Sequence, residues 1–363
     1  MNCIIKQQSE LNAEEWNSFV YSNSMGWAYY LYDMIGVDRW VSYKNISFAI
    51  VDEDNKNEIL MIVQLHITKI QPILSFFHVK YRKLHSRWGY VLKDNLPKKQ
   101  YKKVKECFEK YIDACILKNN IKLFDINLPP LSQYNIENKS YINPLMYFNF
   151  EPSVHYSFIV DLSKTDDRML ADCEETTRQA IRKIEAADKY EIIPAQSNEE
   201  DFKIYVKLHK ETYTRTNNRA AIIADEYHRI MFFNLLPKGI CKIYFLKEKE
   251  SQKIVATTAI LIYKNTAYYW WGDSKNEKEV GINKYLLFKI ICETREEFNK
   301  SGYFETGGAF LYLRNGKDKG ISDFKKCFGT QLAPIWSGKY VTIKKHNKFK
   351  SIIIKILKKI VYR

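Results

Sequence analysis

Lys242-Ile243-Tyr244-Phe245-Leu246 and Ile254-Val255-Ala256-Thr257-Thr258-Ala259-Ile260-Leu261-Ile262 are two runs of β-branched and aromatic residues joined by the charged stretch 247–253. Two such runs around a polar turn predict a β-hairpin. A third strand, Ala267-Tyr268-Tyr269-Trp270-Trp271, ends at Gly272-Asp273-Ser274. From 282 to 298 apolar residues recur as Leu286, Leu287, Ile290, Ile291 and Phe298, the spacing of a helix with one buried face. Gly302 closes that helix, Tyr303-Phe304-Glu305-Thr306 is a short strand, and Gly307-Gly308 follows. A loop rich in glycine and charge, 313–320, leads to Ile321-Ser322-Asp323-Phe324-Lys325-Lys326-Cys327-Phe328-Gly329. This order predicts an α/β (α+β) class: a mixed sheet flanked by helices.

Upstream, residues 156–163 read as a strand ending in polar residues. Asp166, Asp167 and Arg168 open a helix expected to run on through 185, with Arg178 and Arg182 on one face. A basic helical face suits phosphates, and it is equally the ordinary solvent side of a helix. Helices at 202–214 and 226–236 lead into the hairpin. The first half has helices at 11–21 and 27–35 and strands at 47–51, 59–65 and 73–77. An amphipathic helix at 99–118 and a strand at 121–126, stopped by Pro129-Pro130, complete it. Both halves therefore read helix, hairpin, strand, helix, strand, a duplicated order of elements without shared sequence. The expected domains are 1–150 and 151–338, with a basic tail at 339–363.

Composition narrows the function. A length of 363 residues fits two domains, and 15% aromatic residues supply sizeable cores. The seven cysteines are scattered without a C-x-x-C pair, so neither a disulfide framework nor a zinc ribbon is indicated, and a reducing cytosol is the simplest setting. The start lacks the apolar core of a signal peptide. No apolar run approaches the roughly 18 residues that span a bilayer. A soluble or peripheral cytoplasmic protein is expected.

The histidines show no metal-binding spacing. Neither a Gly-x-Ser-x-Gly elbow nor a Walker loop occurs, so a metal, a serine or cysteine nucleophile and NTP hydrolysis have no support. The net charge is +15, and nine Lys/Arg with no acid fall in 339–363, leaving +6 for the rest. An anionic partner is implied. In the tail, Ile352, Ile353, Ile356, Leu357 and Ile360 gather on one side of a helical wheel, with Lys355, Lys358 and Lys359 towards the other. As a helix it is only about 20 Å long. Residues 345–363 therefore suit an anionic membrane surface rather than a span.

Six segments together resemble the Fem family of non-ribosomal peptidyl transferases. They are Val160-Asp161-Leu162-Ser163, Thr177-Arg178-Gln179-Ala180-Ile181-Arg182-Lys183-Ile184, Thr212-Tyr213-Thr214-Arg215, Trp271-Gly272-Asp273-Ser274, Glu305-Thr306-Gly307-Gly308, and Gly320 to Gly329. The resemblance covers roughly 155–340. It implies two tandem acetyltransferase-like (GNAT) domains with a cleft between them. It also implies transfer of an amino acid from aminoacyl-tRNA to an amine of a lipid- or nucleotide-linked envelope precursor, in peptidoglycan or surface-glycan synthesis. No metal, bound cofactor or covalent enzyme intermediate is expected. Two departures stand out. There is no room for the long helical-hairpin arm of glycine-adding members. Gly26-Trp27-Ala28-Tyr29-Tyr30-Leu31-Tyr32 supplies only aromatics where the family often has a basic residue, which widens the acceptor to an amino sugar.

An aminoacyl ester is already activated, so its aminolysis needs positioning, a neutral amine and relief for the oxyanion. Lys325 is the expected cation, because the family's matching Phe-Lys motif lies at its cleft; flanking a Phe324/Phe328 core pair is the plainer role. Asp273 or Glu305, at strand ends, could accept the amine's proton, though acids at strand ends are often turn formers. Arg215, with Arg219 second, could hold a phosphate bidentately, and Arg178 and Arg182 could meet the tRNA or a diphosphate. Phe324 and Trp271 join the substrate-binding set. The alternative is an acyl-CoA-dependent N-acyltransferase acting on an amino sugar, with acetyl-CoA as co-substrate. Such enzymes hold a pyrophosphate at a helix N-terminus. Here the stretch 277–283 at that place has one glycine and two acids.

Overall fold

The computed structural model describes residues 1–40, 42–68, 71–72, 80–86, 88–137, 142–217, 225–275, 281–313 and 315–341, with backbone only at 38–40, 71–72 and 80–81. The expected strand at 73–77, Arg219, the loop 276–280 and the tail 345–363 lie outside the described residues. The chain forms two compact units. The first takes Met1–Ile35, Val41–Val154 and the chain from Ile335; the second takes Gly36–Trp40 and His155–Pro334.

The first unit contains β1 (Cys3–Gln7), α1 (Ala13–Ser22), β2 (Ser42–Asn45), β3 (Phe48–Asp52), β4 (Glu58–Val63), β5 (His66–Thr68), β6 (Gln71–Pro72), β7 (Lys80–His85), β8 (Tyr90–Leu92), α2 (Lys98–Asn119), β9 (Ile121–Asn127) and α3 (Gln133–Glu137). One antiparallel run of strands is β1-β3-β4-β8, and another run is β9-β7-β5-β2 with β7 and β9 parallel. Val104, Phe108 and Ile112, four apart on α2, all point inwards and are fully buried. Phe108 meets the rings of Phe48, Tyr90 and Phe148. Asn120, left-handed at φ 50°, ends the helix.

The helix expected at 27–35 is instead two 3₁₀ segments, Ala28–Tyr30 and Tyr32–Trp40. The Trp16 indole donates to the Tyr30 carbonyl at 2.6 Å, so that acceptor is taken from a continuing α-helix.

The second unit adds β10 (Phe150–Asp161), α4 (Asp166–Asp172), α5 (Glu175–Ala187), β11 (Tyr190–Pro194), α6 (Glu199–Asn217), α7 (Asp225–Ile230), β12 (Cys241–Glu248), β13 (Ile254–Tyr263), β14 (Thr266–Ser274), α8 (Ile282–Glu297), β15 (Tyr303–Ala309) and α9 (Lys317–Lys326). Its strands are ordered β11-β12-β13-β14-β15-β10, antiparallel except for the β14/β15 pair. Leu286, Leu287, Ile290 and Ile291 of α8 are at most 1% exposed and join Ile181 and Ile184 of α5 in the core. Each such side chain contributes about 1.5–3 kcal/mol by leaving water.

The parallel pairing of β14 and β15 covers only Thr266↔Tyr303, Ala267↔Phe304 and Tyr268↔Glu305, although both strands run on. The cause lies on their other edges. Trp270 is an extra residue against β13, and Thr306 is an extra residue against β10. Each bulge bends its strand, and the two strands part beyond Glu305.

Four other expectations change. The helix expected from 166 to 185 is two, α4 and α5, because Cys173 is extended (φ −62°, ψ 151°) and Arg178 Nη1 donates to the carbonyls of Ala171 and Cys173. Gly307 and Gly308 lie within β15 rather than after it. Lys325 sits on a helix, α9, which begins at Lys317, inside the loop expected at 313–320, despite Gly320 within it. The last strand, β16 (Gln331–Tyr340), was not anticipated; from Ile335 on it belongs to the first unit, where Ser337 pairs with Asn127 of β9.

Candidate active site

The point where β14 and β15 part gathers the chemistry of the second unit. Glu305 is the last residue of β15 to pair with β14. The residue is 1% exposed, one carboxyl oxygen accepts from Ser157 Oγ at 2.5 Å, and Oε2 has no hydrogen-bond partner among the described residues. Burial pushes its pKa up to about 7, against the opposing pull of the Ser157 hydroxyl and of Lys325.

Two residues further along β15, Gly307 has φ +113°, and a Cβ built there would lie 2.7 Å from Lys325 Nζ. The lysine ammonium thus fills the space that any other residue would occupy, and glycine is required both for that contact and for its backbone angle. Thr306 Oγ1 donates to the Lys325 carbonyl at 2.8 Å, and Ser322 Oγ accepts from Phe310 N–H at 3.1 Å, which fastens α9 to β15. Lys325 Nζ makes no hydrogen bond or ion pair among the described residues. Burial lowers its pKa, and Glu305 counters that. The half-buried Phe324 ring lies tilted at 6.0 Å from Tyr269 and edge-on at 5.5 Å to Phe328, packed against the core.

Asp273 occupies a different setting. It is 3% exposed and accepts from His209 Nδ1 at 3.1 Å, under the far end of β14. The second His209 nitrogen and both nitrogens of His228 are buried and have no hydrogen-bond partner among the described residues, and the two rings lie 4.5 Å apart. Burial lowers the His228 pKa to about 3. Trp271 covers this cluster, its indole donating to the Tyr227 hydroxyl at 3.1 Å. The Thr212 hydroxyl bridges the backbone of Ser274 in both directions, which ties α6 to the strand end.

The arginines are spread. Arg215, on the last turn of α6, is exposed and unpaired among the described residues, as is Arg182 on α5. Arg178 has one terminal nitrogen committed to two carbonyls. The structure therefore brings Lys325, Glu305 and Phe324 together and sets Asp273 and Trp271 in a neighbouring buried cluster. Ser157, His209 and His228 carried no signal in the sequence, since each acts on a residue 64 or more positions away or on a ring the fold alone brings near, and Thr212 entered only as part of a resembling segment. Among the described residues no group of His, Cys, Asp or Glu could hold a metal ion. None of their helices is long and apolar enough to cross a membrane.

With this geometry in view, the comparisons with known proteins decide the fold. The model of the Acetyltransferase (GNAT) domain matches residues 171–310. FemX superposes with a TM-score of 0.63 at 15% identity, over 96% of this chain and 99% of that one. The fold is that of a tandem GNAT protein. L-PGS from Bacillus licheniformis matches with a TM-score of 0.55 and 12% identity, covering 96% of this chain and 97% of its own. A tandem GNAT protein from the clavulanic acid biosynthesis pathway matches with 0.52 and 9%, over 93% and 98%. No curated protein sequence matches the chain. The parting parallel strands and the helix α8 that precedes β15 belong to the segment the GNAT domain model matches, so the second unit carries a GNAT-type fold.

Proposed function

We propose that the protein is an aminoacyltransferase that moves an amino acid from aminoacyl-tRNA to an amine of a cell-envelope precursor. The observation that carries this is Lys325: an ammonium drawn half out of water, unpaired, and seated on a glycine where the two parallel strands part. A cation in that state is reserved for a charge that arrives with the substrate.

In this mechanism the acceptor's neutral amine attacks the ester carbonyl and a C–N bond forms. The carbonyl oxygen takes the electron pair as an oxyanion, which Lys325 faces. Collapse breaks the bond to the ribose oxygen, which leaves with the proton lost by the nitrogen. Phe324 and Tyr269 flank the acyl group, and exposed Arg215 and Arg182 are the residues suited to phosphates. Likeness to FemX, and to L-PGS along nearly the whole chain, supports the choice of donor. The acceptor is a lipid- or nucleotide-linked precursor, and the basic stretch 345–363 is proposed to bring the protein to the cytoplasmic membrane face.

A second reading, acyl-CoA-dependent N-acylation of an amino sugar, is favoured by the likeness to the tandem GNAT protein of the clavulanic acid pathway. One experiment separates them. The purified protein is incubated with envelope extract and either a panel of radiolabelled aminoacyl-tRNAs or radiolabelled acetyl-CoA. Label passing from a tRNA to an extract component supports the proposal, and label passing only from acetyl-CoA replaces it with the second reading.

A further inference from the structure

We propose that Glu305 is a positioning residue that keeps Lys325 a cation, an inference that rests on the role given to Lys325 above. Glu305 comes immediately before the two residues that seat the lysine: Thr306, which holds its carbonyl, and Gly307, over which its ammonium lies. At 1% exposure the carboxyl is closed off from any substrate, so its effect must pass through another group. One oxygen is fixed by Ser157, itself fully buried, and the other has no hydrogen-bond partner. A buried acid left half-satisfied is costly, and two residues along the same strand Gly307 seats a half-buried amine that has no hydrogen bond or ion pair among the described residues.

The other charged groups nearby are otherwise engaged. On α9, Asp323 is exposed and paired with Lys319, and Lys326 is exposed to water. Asp273 of β14 is bonded to His209. On β10 the residue opposite Glu305 is Ile159, and the side chain that reaches its carboxyl is the uncharged Ser157. Glu305 is the counter-charge that acts on the lysine. Burial by itself would strip the proton from Lys325, and an ionised Glu305 opposes that loss. The Ser157 hydroxyl favours the ionised carboxylate, since it donates to it.

The test reads the lysine directly and needs no substrate. The full-length protein is treated with a water-soluble N-hydroxysuccinimide ester across pH 6–11, and acylation of Lys325 is followed by peptide mass spectrometry. Glu305→Gln is expected to lower the apparent pKa of Lys325 by about one unit. Glu305→Met is expected to do the same, and Glu305→Asp to restore most of the shift. In an assay of transfer, the alkaline limb of kcat should move down with the lysine while KM holds. Circular dichroism identifies the folded variants, and Glu305→Met decides the matter should Glu305→Gln not fold. An unchanged Lys325 titration in either folded variant overturns the inference. A shifted titration in a protein that transfers no aminoacyl group would support it while contradicting the function assigned to the lysine.

Discussion

The Lys325 ammonium takes the place of a side chain at Gly307: a Cβ there would come within 2.7 Å of Nζ. Gly307→Ala therefore has two separable effects. The φ of +113° costs an alanine about 1–2 kcal/mol of stability. The displaced ammonium, at the end of a flexible chain, should reduce kcat about 100-fold with KM little changed. Denaturant melts and steady-state kinetics measure the two. A normal kcat in a destabilised variant would detach the lysine from the chemistry.

Glu305 also makes stability depend on pH. Its pKa is about 7 in the folded chain against an ordinary 4.5. Between those values the folded state holds the proton more tightly than the unfolded one, so stability falls as pH rises from 4.5 to 7. The loss amounts to about 3 kcal/mol above pH 7. Glu305→Gln should match the wild type near pH 4 and exceed it by up to that amount at pH 8, read from urea melts. Equal stability at pH 8 would contradict the burial argument.

His228 acts in the opposite sense. Its pKa is about 3 when folded and 6.5 in the reference state, so the unfolded chain binds the extra proton between those values. Stability is then lost as pH falls through 6.5, by about 3 kcal/mol at pH 4. His228→Phe places an apolar ring among Tyr205, His209 and Tyr227 and removes the two unpaired nitrogens of that imidazole. The variant should lose less stability between pH 7 and pH 4 than the parent. Parallel losses would mean that this imidazole is not the acid-sensitive group.

Strands β12 to β14 and helix α8 of the second unit were readable from residue type and spacing, whereas the edge strand β11 was not. β12, β13 and β14 are runs of β-branched and aromatic residues, and α8 shows its buried face in Leu286, Leu287, Ile290 and Ile291. What the sequence concealed are features set by distant partners. β16 contains Pro334 and Gly338, and its ladder partner β9 lies about 200 residues earlier. The break at Cys173 depends on where the Arg178 guanidinium reaches. The turn at Ala28–Tyr30 depends on an indole of α1.

At the site, Lys325 and Phe324 stood out through a motif, and Glu305 through its place beside paired glycines. Nothing local announced that Glu305 would be sealed against Ser157, or that Asp273 would meet His209. Two bulges, at Trp270 and Thr306, open the strands, and bulges are fixed by pairing rather than by composition.

The central claim is that Lys325 faces the oxyanion formed when an amine attacks an aminoacyl ester. Single-turnover transfer of a radiolabelled amino acid from its tRNA to the acceptor, compared between wild type and Lys325→Ala, tests it most directly. The account predicts a fall of about 100- to 1,000-fold in the rate of the chemical step, with tRNA binding and the melting temperature retained. Transfer at the wild-type rate by a folded Lys325→Ala protein would contradict it.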